Sequence, residues 1–176
     1  MASNVEIKAR VKNLAQFRER AERLSDTPVE LLVQEDTFFV VPKGRLKLRV
    51  LAPDRGQLVY YERVDRAGPK TSYYLVAPTP DPASLHAALA AALGVRGVVR
   101  KRRWLYMIGH TRVHLDDVED LGAFMELEVV LQPGQSAEEG QAIAADLMGQ
   151  LEIAPGDLVD VAYLDLLEAR ASAGPA

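Results

Sequence analysis

Apolar and polar residues alternate with a period of two along several stretches of this chain. Asn4–Val11 sends Val5, Ile7, Ala9 and Val11 to one side and Asn4, Glu6, Lys8 and Arg10 to the other. The pattern recurs in Arg45–Val50, Arg112–Asp116 and Met125–Val129. Such alternation predicts half-buried strands. With breaks at Pro42-Lys43-Gly44, Pro53–Gly56 and Gly109-His110, strands fall at about 5–11, 34–41, 45–51, 58–63, 72–77, 98–108, 111–116 and 124–131, with a loop over 65–70.

Helical spacing predicts three helices. Asn13 caps one with Leu14, Phe17, Ala21 and Leu24 on a single side. Asp81-Pro82 opens a second, with Leu85, Leu89 and Leu93 as its stripe and Gly94 as its stop. Ser136 and Glu139 form a capping box for a third, running to about Gln150 with Ile143, Leu147 and Leu151 inward. Residues 155–167 read as short helical pieces. The short connections predict a mainly antiparallel sheet, and eight strands closed into a barrel leave a lumen that side chains or one small ligand can fill. The fold class is therefore α+β: an eight-stranded, mainly antiparallel β-barrel or tunnel with helices packed outside.

The chain's 176 residues fit one domain over 1–170, followed by a flexible tail at 171–176. A net charge of −4 disfavours wholesale binding to nucleic acid or an anionic membrane. The absence of cysteine excludes disulfides, thiolate metal sites and a cysteine nucleophile. No apolar run approaches the roughly 20 residues that span a bilayer, and no signal pattern opens the chain, so a cytoplasmic location is expected.

The polar faces carry the candidate chemistry. Glu126 and Glu128 are two apart on one strand, so their carboxylates share a face; Glu6 and Asp116 lie on comparable polar faces. Crowded carboxylates repel unless a cation holds them, and oxygen donors of this kind suit Mg²⁺ or Mn²⁺. A solvent-facing strand accounts for the acid pair equally simply. Arg45, Lys47 and Arg49 share one face, Lys8 and Arg10 a second, Lys101 and Arg103 a third, with Arg63 following the Tyr60-Tyr61-Glu62 stretch. Single rows of this type also protect sheet edges; several rows together with the acids favour a site for a polyanion. His114, between Arg112 and Asp116, reads either as a proton carrier or as a structural hydrogen-bonding residue. The tyrosines read mostly as barrel packing. No glycine-rich phosphate loop is present.

These residues, in this order, resemble the CYTH family, the triphosphate tunnel metalloenzymes, which includes class IV adenylyl cyclases and thiamine triphosphatases. The resemblance rests on Asn4-Val5-Glu6-Ile7-Lys8, Gln34–Phe39, Arg45–Arg49, Lys101-Arg102-Arg103, His114-Leu115-Asp116, Leu121–Glu128 and Tyr163–Leu167. It implies that the charged faces point inward. It further implies divalent metal (Mg²⁺ or Mn²⁺) on Glu6, Glu126 and Glu128 with Asp116 as helper. Phosphate contacts would come from Lys8, Arg10, Arg45, Lys47, Arg49, Arg63, Lys101, Arg103 and Arg112, and Lys8, Glu6 and Arg63 would be the catalytic residues. The substrate would be a small-molecule triphosphate, ATP or tripolyphosphate, and a homodimer is the associated assembly. The overall likeness is to the class IV cyclases, which convert ATP to cyclic AMP and pyrophosphate. Triphosphate hydrolysis and non-catalytic sensing of polyphosphate or nucleotide are the alternatives. Asn4 departs from the pattern, standing where the family has its first glutamate.

Overall fold

The structure, a computed structural model, describes residues 2–63 and 70–174, with the side chains of 2, 3, 63 and 70–72 outside that description. Eight strands are present: β1 (Ala2–Arg10), β2 (Glu30–Phe39), β3 (Arg45–Ala52), β4 (Arg55–Arg63), β5 (Lys70–Thr79), β6 (Val95–Ile108), β7 (Thr111–Val118) and β8 (Gly122–Val130). They close into an antiparallel barrel in the order β1-β5-β4-β3-β2-β6-β7-β8. The expected loop over 65–70 falls almost entirely outside the described residues. β2 begins four residues before its expected start because Glu30–Val33 pair with the far end of the long β6, from Leu105 to Arg102.

Four helices surround the barrel: α1 (Leu14–Leu24), α2 (Pro82–Leu93), α3 (Ala137–Gln150) and α4 (Tyr163–Ala173). The Asn13 side chain accepts from the Gln16 amide, Asp81 from Ser84, and Ser136 and Glu139 cap each other, as expected. Two helix faces differ from the sequence reading. In α3 the buried line is Gly140, Ala144, Leu147 and then Leu151, while Ile143 is exposed. The small residues let α3 approach β1 closely; a Cβ at Gly140 would stand 2.8 Å from a Val5 methyl. In α2, Leu85 and Leu89 are half-buried and Leu93 is exposed, so Pro82 is its one buried residue. The segment expected to form short pieces over 155–167 is a single 3-10 turn at Pro155–Asp157 and then the continuous α4, which reaches Ala173, beyond the expected start of the tail. Among the described residues no helix is long and apolar enough to cross a membrane.

The main apolar core lies outside the barrel wall. Val5, Ile7, Ala9, Val113, Leu115, Met125, Leu127 and Val129 point outward and pack with Phe17, Ala21, Ala144, Leu147 and Leu151 from α1 and α3. Removing these side chains from water is favourable on that side, and strict alternation then turns their polar neighbours into the lumen. A second cluster, Phe38, Val99, Val118, Phe124, Tyr163 and Leu164, seats the start of α4 against one end of the barrel.

Candidate functional site

Because the apolar faces are covered from outside, the barrel encloses a cavity of about 390 Å³ lined by charge. Lys8, Lys47, Arg49, Lys101, Arg103 and Arg112 face Glu6, Asp36, Glu126 and Glu128 across it, six basic groups against four carboxylates. That excess of positive charge in a partly enclosed space suits an anion.

Strand register fixes who meets whom. Across β1 and β8, Lys8 opposes Glu126 and Glu6 opposes Glu128; across β7 and β8, His114 opposes Glu126 and Arg112 opposes Glu128. Lys8 Nζ stands 3.4 Å from Glu126, and Arg112 Nε donates to Glu128 at 2.9 Å. The Lys8 ammonium also donates to the Val161 carbonyl at 3.1 Å and lies 4.1 Å from the Tyr163 ring centre. On the opposite wall Asp36 accepts from both sides of the Arg49 guanidinium at 2.7 Å and from Lys47 at 2.9 Å. Burial alone would raise the Asp36 pKa, but Arg49 and Lys47 hold it well below the usual carboxylate range. Burial, reinforced by Arg49, lowers Lys47 to about 7.

Asp116 stands apart from the lining residues. It is completely buried, accepts both prongs of Arg103 at 2.7 and 2.6 Å and the Tyr163 hydroxyl at 2.8 Å, and has Lys101 3.6 Å away. With its oxygens so committed, Asp116 orients Arg103 and Tyr163. Arg103 reaches on to Glu126 at 2.7 Å. Burial and Asp116 push the Tyr163 phenol well above its ordinary pKa, so it serves as a hydrogen-bond donor.

The carboxylates fit a divalent cation in a way that the acids alone do not show. Nδ1 of His114, Glu126 and Glu128 all offer donor atoms within 4.8 Å of one another. His114 is 4 % exposed, and its Nδ1 has no hydrogen-bond partner. An unpaired buried polar atom costs roughly 1–3 kcal/mol, so the expected structural hydrogen bond is absent at this nitrogen. Burial and Arg103 lower His114 to about 4, leaving a neutral imidazole near neutral pH. Asn4 and Gln34 are likewise buried in the lining with unpaired amide oxygens.

Two expected phosphate residues lie elsewhere. Arg10 is exposed over the Phe124 ring, 4.9 Å from its centre, beyond the lumen. Arg45 pairs with Asp165 of α4 at 2.9 Å at the covered end of the barrel and is not a lining residue. The Arg63 side chain lies outside the described residues. Sequence reasoning did not single out Asp36 or Tyr163 as functional. For Asp36 the signal was its shared parity with Gln34 on one strand; for Tyr163 there was none in spacing. Of the tyrosines, Tyr61 and Tyr74 line the lumen, Tyr106 is in the outer core and Tyr73 is half-exposed on the outer surface.

At the end away from α4, Leu32, Leu51 and Leu105 form a half-buried apolar rim with Gln57 beside it. Leu105 is the register partner of His114, so the rim adjoins the His114–Glu126 rung.

A CYTH domain matches residues 2–163. The fold is similar to that of the PH1012 protein from Pyrococcus horikoshii, at 27% identity, covering 93% of this chain and 98% of that one with a TM-score of 0.82. It is also similar to a candidate adenylate cyclase from Vibrio parahaemolyticus (20% identity, 94% and 97% coverage, TM-score 0.75). A third similar fold is a candidate adenylyl cyclase from Hippeastrum described as having a dominant triphosphatase activity (14% identity, 96% of each chain, TM-score 0.63). No curated protein sequence matches the chain.

Proposed function

The chain belongs to the CYTH family, and on that footing we propose that it is a divalent-metal-dependent enzyme that cyclises ATP to cyclic AMP and pyrophosphate. The observation that carries this reading is the order of groups along the lumen. An apolar rim at Leu32, Leu51 and Leu105 suits a nucleobase, with the Gln57 amide beside it for a base edge. The His114, Glu126 and Glu128 cluster adjoins that rim through Leu105, the register partner of His114, and suits the first phosphate of a nucleotide. Arg49 shares a rung with Gln57, Lys47 lies two residues further along the same strand, and with Lys101 they suit the phosphates that leave.

A metal ion on Glu126 and Glu128, with Glu6 opposite, would supply charge neutralisation at the phosphate oxygens. The chain's own groups do the rest. Arg103 and Lys8 are held in place by Asp116, Glu126 and the Val161 carbonyl, so they need little rearrangement to absorb developing charge. The ribose 3′-oxygen bonds to the α-phosphorus, the bond from that phosphorus to the bridging oxygen breaks, and pyrophosphate departs toward Lys47 and Arg49. The hydroxyl proton passes to a carboxylate, for which Glu6 is placed on the rung next to Glu126.

Hydrolysis of the terminal phosphate is the second reading. It is favoured by the activity ascribed to the Hippeastrum protein of similar fold and by the cations around Asp36, which would hold a terminal phosphoryl group. Incubation with ATP and Mg²⁺ or Mn²⁺, with products resolved by chromatography and Glu126→Gln run in parallel, decides. Cyclic AMP with pyrophosphate, lost in the variant, supports cyclisation; orthophosphate without cyclic AMP supports hydrolysis and overturns it.

A further inference from the structure

We propose that His114 is a direct nitrogen ligand of the divalent ion, and that it makes the site select a first-row transition ion such as Mn²⁺ over Mg²⁺. The inference rests on the reading that Glu126 and Glu128 hold the metal, and it adds a donor of different chemistry to that pair.

Nδ1 of His114 points between the two carboxylates, 3.8 Å from Glu128 Oε1 and 4.0 Å from Glu126 Oε2. These separations are too long for hydrogen bonds. They fall between the separations of two donors about 2.1 Å from one ion, about 3 Å in adjacent positions and about 4.2 Å in opposite ones. Glu126 Oε2 also accepts from Arg103 at 2.7 Å, and the other contacts engage other oxygens. Arg112 takes Glu128 Oε2, and Lys8 faces Glu126 Oε1. Glu128 Oε1 is the oxygen turned toward the imidazole. A buried ring nitrogen with no partner, aimed at a carboxylate oxygen from which it is separated by the width of an ion, is therefore an arrangement completed by a cation.

The donor type sets the choice of ion. Mg²⁺ favours oxygen donors and gains little from imidazole, whereas Mn²⁺ and its neighbours accept nitrogen readily. A neutral ring also adds a ligand without adding negative charge. The lumen's cations then still outnumber its carboxylates, so the ion is held best when an anionic substrate enters with it.

The test is pulsed electron paramagnetic resonance of Mn²⁺ bound with α,β-methylene-ATP, in protein whose histidines alone carry ¹⁵N. The chain has three histidines, and the other two are away from the lumen: His86 packs on Phe39, and His110 lies in the β6–β7 turn. A ¹⁵N hyperfine coupling of direct-ligand size is expected. It should vanish in His114→Gln, which should also lose at least about tenfold in Mn²⁺ affinity while Mg²⁺ affinity changes less than threefold. Bound Mn²⁺ without ¹⁵N coupling overturns the inference and leaves the metal on the carboxylates. Failure of the protein to bind Mn²⁺ with the nucleotide analogue overturns both readings. The wild-type spectrum decides even if the variant folds poorly.

Discussion

Arg103 and Asp116 form a two-pronged ion pair inside the barrel wall, with donor–acceptor distances of 2.7 and 2.6 Å and both side chains at most 4 % exposed. Both charges are buried, and Arg103 has Glu126 as its other carboxylate partner. Asp116→Asn removes one of the two counter-charges of Arg103 and leaves the guanidinium on Glu126 alone, beside Lys101. Breaking such a pair costs about 3–5 kcal/mol. The variant should melt several degrees lower and bind triphosphate more weakly, while its Mn²⁺ affinity stays within about threefold. A large loss of Mn²⁺ affinity in a folded variant would return Asp116 to the metal site.

Lys47 gives the lumen a proton linkage. Burial and Arg49 bring its pKa to about 7, and a polyanion beside it favours the charged form. Triphosphate binding should therefore take up protons, up to about half a proton per site at pH 7 and nearer one at pH 8, and affinity should weaken as pH rises from 7 to 9. Titration calorimetry in two buffers of different ionisation enthalpy measures the uptake. Lys47→Arg, which stays charged, should flatten the profile; an unchanged slope in that variant would assign the linkage elsewhere.

Acid should unfold the protein in two stages. His114 is held near 4 by burial, against an ordinary value of 6.5, so between these values the unfolded chain binds the extra proton and stability falls as pH falls. Asp36 and Glu126 are depressed despite burial, by Arg49 and Lys47 in one case and Arg103 and Lys8 in the other. Their contribution is present above the usual carboxylate range and is lost as pH drops through it. Urea midpoints at pH 7, 5.5, 4.5 and 3.5, with chelator present, should fall throughout and most steeply at the last step. A midpoint that is flat from pH 7 to 4.5 would mean that His114 is not buried as a neutral ring.

The alternation along Asn4–Arg10, Arg45–Arg49 and Met125–Val129 made the strands and the shared faces legible. It did not say which face is inside, because period two is the same for a barrel filled with apolar groups and one filled with charge. That choice is made by α1 and α3 covering Ile7, Leu115 and Leu127 from outside. In α3 the spacing of large residues suggested Ile143, but packing selected Gly140 and Ala144, since a close helix–strand approach needs small side chains. Arg10 and Arg45 kept the right parity yet fell at the strand ends, past the lumen. Parity fixes the side of a strand and not the depth. Tyr163 reaches Asp116 only through tertiary placement of α4, which no local pattern carries.

Asn4 is buried on the same face as Glu6, with its side-chain oxygen unpaired. Asn4→Glu adds a carboxylate to the wall that carries Glu6, Glu126 and Glu128. It should tighten divalent metal binding severalfold and lower the melting temperature of the metal-free protein, through repulsion among buried acids. An unchanged metal titration would separate position 4 from the cation site.

Arg103, Lys8 and Arg112 are paired with Glu126 and Glu128. Metal and triphosphate should each release what the other needs, and so bind with positive coupling of about 5–150-fold. Titrating α,β-methylene-ATP into the protein by calorimetry, once with Mn²⁺ and once with chelator, measures this directly. The account predicts one site per chain in both cases, at least about fivefold tighter with the metal. Absence of binding in both, or equal affinity with and without Mn²⁺, would contradict it.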